Sequence, residues 1–424
     1  MIEGVPHLTT AMTGPILQLE AHLLAHQAEV ESWFRGQWLR TPAPFYASVD
    51  LRNAGFKLAP VDTNLFPAGF NNLNHAFMPL CVQAAQVAVE RACPKARRVL
   101  IVAENHTRNL FYLESLETLR LIFEQAGLDA RIGSLRDDLI EPMKVDLPSG
   151  RSCHLSPLTR QDNRISIDDF SPCLVLLNND LSGGRPDILE GLEQQIIPPL
   201  SAGWSDRKKS DHFTHYHAVA QEFSQQINID PWLVSPLSLQ CGEVNFMDRS
   251  GGDCLARNVE NMLTSIASKY AEYGIDKEPF VVVKADSGTY GMGIMMVKSA
   301  DEVSSLNRKQ RTKMSSAKEG LIVDNVLVQE GVYTFETLGE DEVVAEPVVY
   351  MMNHFVVGGF YRVHTGRGVD ENLNAPGMHF EPLAFAQPCN IPNKEDMPDT
   401  QPNRFYAYGV VARLALLAAA RELA

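Results

Sequence analysis

Apolar positions recur at helical spacing early in the chain, where Ile16, Leu19, Leu23, Leu24 and Val30 mark one face over residues 15–34. A second amphipathic run, Leu80–Ala92, stops before Pro94. Val99–Ala103 is then a continuous apolar run of strand length, residues 110–125 return to helical spacing until Gly127 ends them, and Leu128–Ile132 reads as the next strand. Strand, helix and strand in this order predict parallel pairing. A further strand, Cys173–Leu177, runs into the polar loop Asn178–Gly184, and ligands in open α/β sheets sit at such carboxyl-end loops.

The texture changes near Gly203. Residues 204–224 are polar with helical spacing, 256–273 read as an amphipathic helix, and strands dominate from Phe280 to about Arg362. Pro388–Asn403, rich in Pro, Asn and Asp, is expected to be a surface loop before a last helix over Phe405–Leu423. The fold class implied is α/β, with α+β character in the second half and a division near residue 200.

Composition narrows the function classes. A 424-residue chain that is 45% hydrophobic can fill two or three cores. Its formal charge of -15, from 37 Lys+Arg against 52 Asp+Glu with no basic stripe, argues against a nucleic-acid partner. Seven cysteines without CxxC spacing suggest neither a disulfide framework nor a zinc ribbon and fit a reducing cytoplasm. The first residues lack the basic-then-apolar layout of a signal peptide. Arg413 lies within the last apolar helix, where a bilayer would charge about 2.5–3.5 kcal/mol for it, so that helix is expected to be buried in protein and no membrane partner is expected.

The segment Phe280–Val297 carries the most chemistry. A β-rich run ends in Lys284, a loop follows with Gly288, Gly291 and Gly293, and a second β-rich run closes a hairpin. It has neither the GxxxxGK[ST] of a P-loop nor the strand-to-helix setting of a dinucleotide fingerprint. Glycines allow backbone N–H groups to turn towards an anion, Ser287 and Thr289 offer hydroxyls, and Lys284, read as a solvent-facing strand-end lysine, reaches the same phosphates. A plain hairpin would use the same glycines. Two further segments favour a polyphosphate: Val326–Val332, whose Gln329 and Glu330 form a hinge for an adenine edge and a ribose, and Ser205–Phe213, which supplies Lys208 and Lys209.

The order of these features resembles the ATP-grasp superfamily, in which a first lysine, a strand lysine with a glycine lid, an adenine hinge, an arginine and a Glu/Asn metal pair follow one another. Cys173–Phe213 is similar to the corresponding run of glutathione synthetases, which implies Lys209 as the first ATP lysine, with Lys208 as alternative. The resemblance implies an N-terminal Rossmann-like pre-ATP-grasp domain over 1–200 and an ATP-grasp domain over 201–424, with a lid at about 275–330 and a C-terminal catalytic part at about 331–424. It also implies an ATP contact at Val332.

Glu346–Tyr350 and Val356–Val363 read as paired strands that end with Arg362 directed at the site. Val369–Met378 resembles the Glu-x-Asn-x-x-Pro-Gly-Met run of D-alanine ligase-like enzymes. That likeness implies Glu371 as a Mg²⁺ bridge and Asn372 or Asn374 as an amide ligand, one position off the family spacing, with Glu346 compensating for a second carboxylate where His364 stands. The chemistry implied is activation of a carboxylate by ATP as an acyl phosphate, which an amine then takes, with Arg362 and Lys284 on the developing charge.

Phe45–Asn72 is dense in polar groups. Arg52 and Lys57 are candidate carboxylate clamps, and Asp50, Asp62 and Asn64 candidate ammonium partners, a set suited to an acidic amino acid; a polar network that fixes a loop would need the same residues. Together with the Lys209–Phe213 run and Gly358–Arg362, this segment resembles the proteobacterial glutamate–cysteine ligase family over nearly the whole chain. The resemblance implies L-glutamate, L-cysteine and ATP as partners and γ-glutamylcysteine as product, the first step of glutathione synthesis, and a homo-oligomer is compatible with it. From the residues alone the reading stops at an amino-acid ligase. A glutathione synthetase-like or other peptide ligase, a protein-modifying ligase and a non-catalytic nucleotide-binding module are the alternatives. His212, His215 and His217 lack a fourth metal ligand and are expected to flank the nucleotide end, and Met295 and Met296 to be core of the lid strand.

Overall fold

The computed structural model describes residues 8–11, 13–105, 109–288, 293–315, 323–383 and 404–424. Three larger sheets organise the described residues, with a two-stranded ribbon, Thr159–Gln161 and Arg164–Ser166, beside them. The first has the order Gln195–Ile197, Leu174–Asn178, Arg98–Ala103, Asp129–Ser134, Ser152–Pro157 and Met143–Asp146, parallel except at its last pair. Its central strands are continuous apolar runs because both faces are covered. The crossover helix Leu110–Gln125 has the bounds expected from its spacing. Asn109 caps it by accepting from the N–H groups of Phe111 and Tyr112, and Gly127 (φ 87°) turns the chain back.

The second sheet is antiparallel and built on the pair Val343–Met352 and Phe355–Val363. Strand Tyr46–Asn53 pairs with Val343–Met352 on the other side and carries the hairpin strand Leu58–Asn64. Residues from either side of position 200 therefore share one sheet. The Tyr46 hydroxyl donates to the Leu177 carbonyl (2.5 Å) and accepts from Asn178 (3.1 Å), which fastens this sheet to the carboxyl edge of the parallel one.

The third sheet has the order Ser238–Cys241, Val326–Glu330, Val281–Ala285 and Ile294–Val297, and the expected glycine hairpin forms with Lys284 opposite Ile294. Helix Gly252–Tyr273 covers it with a stripe of Leu255, Val259, Met262, Leu263, Ile266 and Tyr270. The last helix, Phe405–Glu422, is buried as expected: Arg413 is neutralised by Glu31 (2.8 Å to each oxygen) and lies 4.2 Å from the Phe34 ring centre. Among the described residues no helix is long and apolar enough to cross a membrane. The expected loop Pro388–Asn403 lies outside the described residues.

Candidate active site

The second and third sheets face each other across a cleft lined by Asp62, Lys209, Lys284, Gly288, Glu346 and Arg362, among others. Lys209 and Lys284 arrive from different elements, the start of helix Lys209–Ile227 and the end of strand Val281–Ala285. Asp286 joins those elements. It receives the Lys209 N–H at its carbonyl (2.7 Å), while its carboxylate takes the Ser210 N–H and hydroxyl (2.7 Å each). A carboxylate at a helix N-terminus meets unpaired N–H donors and the positive end of the dipole. The Lys209 ammonium then reaches Asp62 (3.0 and 3.2 Å) with the Trp204 ring 4.0 Å away, and Lys284 donates to the carbonyl of Val61 (2.6 Å). Lys208 is exposed and does not line the cleft.

Electrostatics follow from this enclosure. Lys284 is only 5% exposed, not solvent-facing as its strand-end position suggested, and burial pushes its ammonium down to about 7 against the opposing pull of Asp62. Burial also works against ionised Asp62, yet Lys209 and Lys284 together hold that carboxyl at about 2. Gly288 (φ 90°) and Gly293 (φ 63°) adopt conformations that side chains strain to reach, and Gly288 lines the cleft. Ser287 is half-buried beside it, while Thr289 and Gly291 lie outside the described residues.

A second network floors the cleft. Arg362 donates to Asp50 (2.8 Å) and Glu346 (2.6 Å), and Arg52 donates to Glu346 (3.1 Å) and to the carbonyls of Val332 (3.1 Å) and Glu371. Burial raises the Asp50 carboxyl against the pull of Arg362, whereas Asp50 and Glu346 outweigh burial to keep Arg362 firmly charged. Arg52 thus ties the floor of the cleft together, with its guanidinium engaged by Glu346 and two carbonyls. The Glu371 carboxylate turns back to the Gly368 N–H (2.7 Å) and Arg367 (2.7 Å), a local turn that draws it away from the cleft. Glu346, Asn372 and Asn374 do line the cleft. No group of three His, Cys, Asp or Glu suited to a metal occurs among the described residues. The oxygens present, carboxylate and amide, fit a hard cation that is shared with phosphate oxygens.

Gln329 and Val332 border the cleft together with Val282, Ile294 and Met296, an apolar wall for a base that the sequence reading had not separated from ordinary core. Glu330 also borders it, but its carboxylate is bound by Lys57 (2.9 Å), Trp232 Nε1 (3.1 Å) and the Leu237 N–H (2.9 Å). Lys57 is fully buried, and burial pulls it down to about 8 despite Glu330. It therefore stands behind the hinge, reaching Glu330 and the Ser235 carbonyl from the turn between strands Tyr46–Asn53 and Leu58–Asn64. His217 bridges Ser235 and Ser238 (2.9 Å each) beside the same hinge, and His212 meets Arg207 (3.0 Å) and Glu422 (3.1 Å) next to Lys209.

At Asp50, Asp62, Arg362 and Asn374 the cleft opens into a cavity of about 950 Å³. Asn64 lines it, as do residues that no sequence motif marked: Trp204, Tyr350, Phe360 and Phe380, and, at the carboxyl edge of the parallel sheet, Glu104, Arg136 and Asp180. The last three follow strand ends, and the loop rule for open sheets was the one signal pointing to them. The cleft itself measures about 100 Å³.

A protein-family profile described as "GshA: Glutamate-cysteine ligase" matches residues 20–423. A crystal structure from Methylobacillus flagellatus KT, described as a "putative gamma-glutamylcysteine synthetase", is 63% identical with a TM-score of 0.92 and covers 99% of both chains. A D-alanyl-alanine synthetase A from Vibrio cholerae O1 biovar eltor str. N16961 aligns over 75% of this chain and 80% of its own, with 10% identity and a TM-score of 0.36. A glutathione synthetase-like effector from Globodera pallida aligns over 87% and 85%, with 11% identity and a TM-score of 0.37. Both are too loosely alike to assign a fold. No curated protein matches the chain.

Proposed function

The chain belongs to the glutamate–cysteine ligase family and is a carbon–nitrogen ligase, and we propose that it joins the γ-carboxylate of L-glutamate to the amine of L-cysteine through a γ-glutamyl phosphate made from ATP. The observation that carries this reading is the convergence of Lys209, paired with Asp62, and Lys284, on the neighbouring Val61 carbonyl, where a cleft with an apolar wall joins a larger cavity. Two basic side chains gathered beside one half-buried carboxylate form a cationic seat ready for a polyphosphate, whose charges would take over from Asp62.

In this reading the base lies against Val282, Ile294 and Met296 at the hinge of Gln329, Glu330 and Val332, and Gly288 lets backbone N–H groups approach the phosphates. Arg362, on the wall common to both spaces, holds the oxygens that gain charge as the carboxylate is phosphorylated and as the amine attacks. Asp50 and Glu346 fix its guanidinium before any substrate arrives, which removes a reorganisation cost. Glu346 with Asn372 or Asn374 would hold Mg²⁺, which supplies positive charge to the phosphate oxygens. Positioning and electrostatics suffice for this chemistry, and no covalent enzyme nucleophile is required. A reducing cytoplasm suits it, since the thiol of the second substrate must stay reduced.

The test is phosphate release with ATP, Mg²⁺ and L-glutamate, with and without L-cysteine, and mass detection of γ-glutamylcysteine. Turnover that needs cysteine supports the reading. Turnover that instead needs γ-glutamylcysteine and glycine would make this a glutathione synthetase-like enzyme, and ATP binding without turnover on any amino acid would leave a nucleotide-binding module.

A further inference from the structure

We propose that Asp50 receives the attacking amine: its carboxylate pairs with the α-ammonium of the second amino acid beside Arg362 and takes the proton that must leave before the nitrogen can attack. This assignment rests on the ligase reading above and adds a catalytic residue to it.

Strand register places Asp50 at the point where the two substrates must meet. It lies opposite Asp62 on one neighbouring strand and opposite Val348 on the other, and Val348 lies opposite Phe360, so the four side chains form one row on one face of the second sheet. Arg362, two residues beyond Phe360 on the same strand, shares that face. The row runs from the phosphate seat at Asp62 to the apolar end of the cavity at Phe360, with Asp50 between them. Among the described residues, Asp50 and Asp62 are the carboxylates that border both the cleft and the cavity.

The oxygens of the three carboxylates around Arg362 are not equally committed. Glu346 gives Oε1 to Arg362 (2.6 Å) and Oε2 to Arg52 (3.1 Å). Asp62 gives both oxygens to Lys209 (3.0 and 3.2 Å). Asp50 gives Oδ2 to Arg362 (2.8 Å), and among the described residues its Oδ1 meets no donor. The charges that face Asp50 are Arg362, Glu346 and Asp62, with Lys209 and Lys284 beyond Asp62. Burial, helped by Glu346 and Asp62, raises its carboxyl against the pull of Arg362, the direction a proton acceptor needs. An α-ammonium binds a carboxylate but has no lone pair with which to attack. Once Oδ1 has taken one proton, the amine attacks the acyl carbon, the carbon–nitrogen bond forms and the bond from that carbon to the phosphate oxygen breaks. The second proton departs with the leaving group as hydrogen phosphate. Arg362 still has Glu346 as counter-charge while Asp50 is neutral, and Asp50 returns its proton to water through the cavity.

Hydroxylamine separates the two halves of the reaction, because it is unprotonated at neutral pH and intercepts an acyl phosphate without a base or an ammonium site. With ATP, Mg²⁺ and L-glutamate, the rate of hydroxamate formation is compared with that of cysteine-dependent dipeptide formation on wild type, D50N and D62N. In D50N the ratio of dipeptide to hydroxamate should fall about hundredfold, the lower end of what a positioned base contributes. In D62N, which disturbs the phosphate seat, both rates should fall and the ratio should hold. On the wild-type chain 3-sulfanylpropanoate, which is cysteine without its ammonium, should inhibit with a Ki at least about tenfold above the KM for cysteine, and this arm needs no variant to fold. An unchanged ratio in D50N would overturn the assignment, as would a D50N defect that shows as a raised KM for glutamate with hydroxylamine as acceptor, or 3-sulfanylpropanoate that binds as well as cysteine. Wild type that makes neither hydroxamate nor dipeptide would sink the ligase reading and the role of Asp50 with it.

Discussion

Replacing Lys284 with Met should make the ligand-free protein more stable while abolishing its use of ATP. The ammonium is buried and pushed from its ordinary 10.5 down to about 7. At 1.36 kcal/mol per pKa unit, that displacement sets a ceiling of about 5 kcal/mol on what the charge costs the folded state. The sign is that of a base depressed on folding: below about pH 7 both states are protonated and the folded state bears the full cost, and as pH rises towards 10.5 the unfolded chain releases its proton too and the cost fades. Met removes the charge but leaves the Val61 carbonyl without its donor, an offset of about 1–3 kcal/mol. A net gain of at most about 2–4 kcal/mol near pH 6 is the expected outcome. Urea unfolding of both proteins near pH 6 and pH 9.5 would measure it, and the advantage of Met should shrink by about 3 kcal/mol between those values. In the same samples, ATP should raise the melting temperature of wild type alone. A Met variant less stable than wild type near pH 6, or an advantage independent of pH, would refute the claim that this ammonium is held desolvated for a polyphosphate.

Further outcomes follow from the same geometry. Glu346→Gln removes the charge that two buried guanidinium groups share, so a loss of about 3–5 kcal/mol in denaturant titration and a weakened response to Mg²⁺ are expected together. Glu371→Gln should change stability by less than about 1 kcal/mol and keep the Mg²⁺ dependence of turnover, because its carboxylate is turned to an exposed arginine; loss of that dependence would return the metal to Glu371. Lys57→Met strands Glu330 without a counter-charge and should cost about 3–5 kcal/mol and raise KM for ATP, and adding Glu330→Gln should recover much of the stability; unchanged stability in the single variant would contradict the buried pair.

Much of this protein is written in local pattern. The parallel strands, the helix over 110–125 and the glycine hairpin depend on neighbours within a few residues, so apolar spacing and the positions of glycine and asparagine determine them. The resemblance to the ATP-grasp superfamily likewise brought Lys209, Lys284, Arg362 and the hinge into one hypothesis, through the order of those motifs along the chain. What a side chain faces is a different matter. Lys57, Arg52 and Glu371 are all charged residues in polar segments, and nothing local distinguishes the one buried behind a hinge from the one left in a surface turn. Strand Tyr46–Asn53 pairs with a strand roughly 300 residues further on, and only that long-range pairing decides which of its polar groups meet Glu346 and which face the cavity. The carboxyl-edge cluster of Glu104, Arg136 and Asp180 exists only once three separate loops are stacked by parallel pairing. Pairing between distant strands is non-local, and burial of charge follows from it, so these features belonged to the tertiary structure alone.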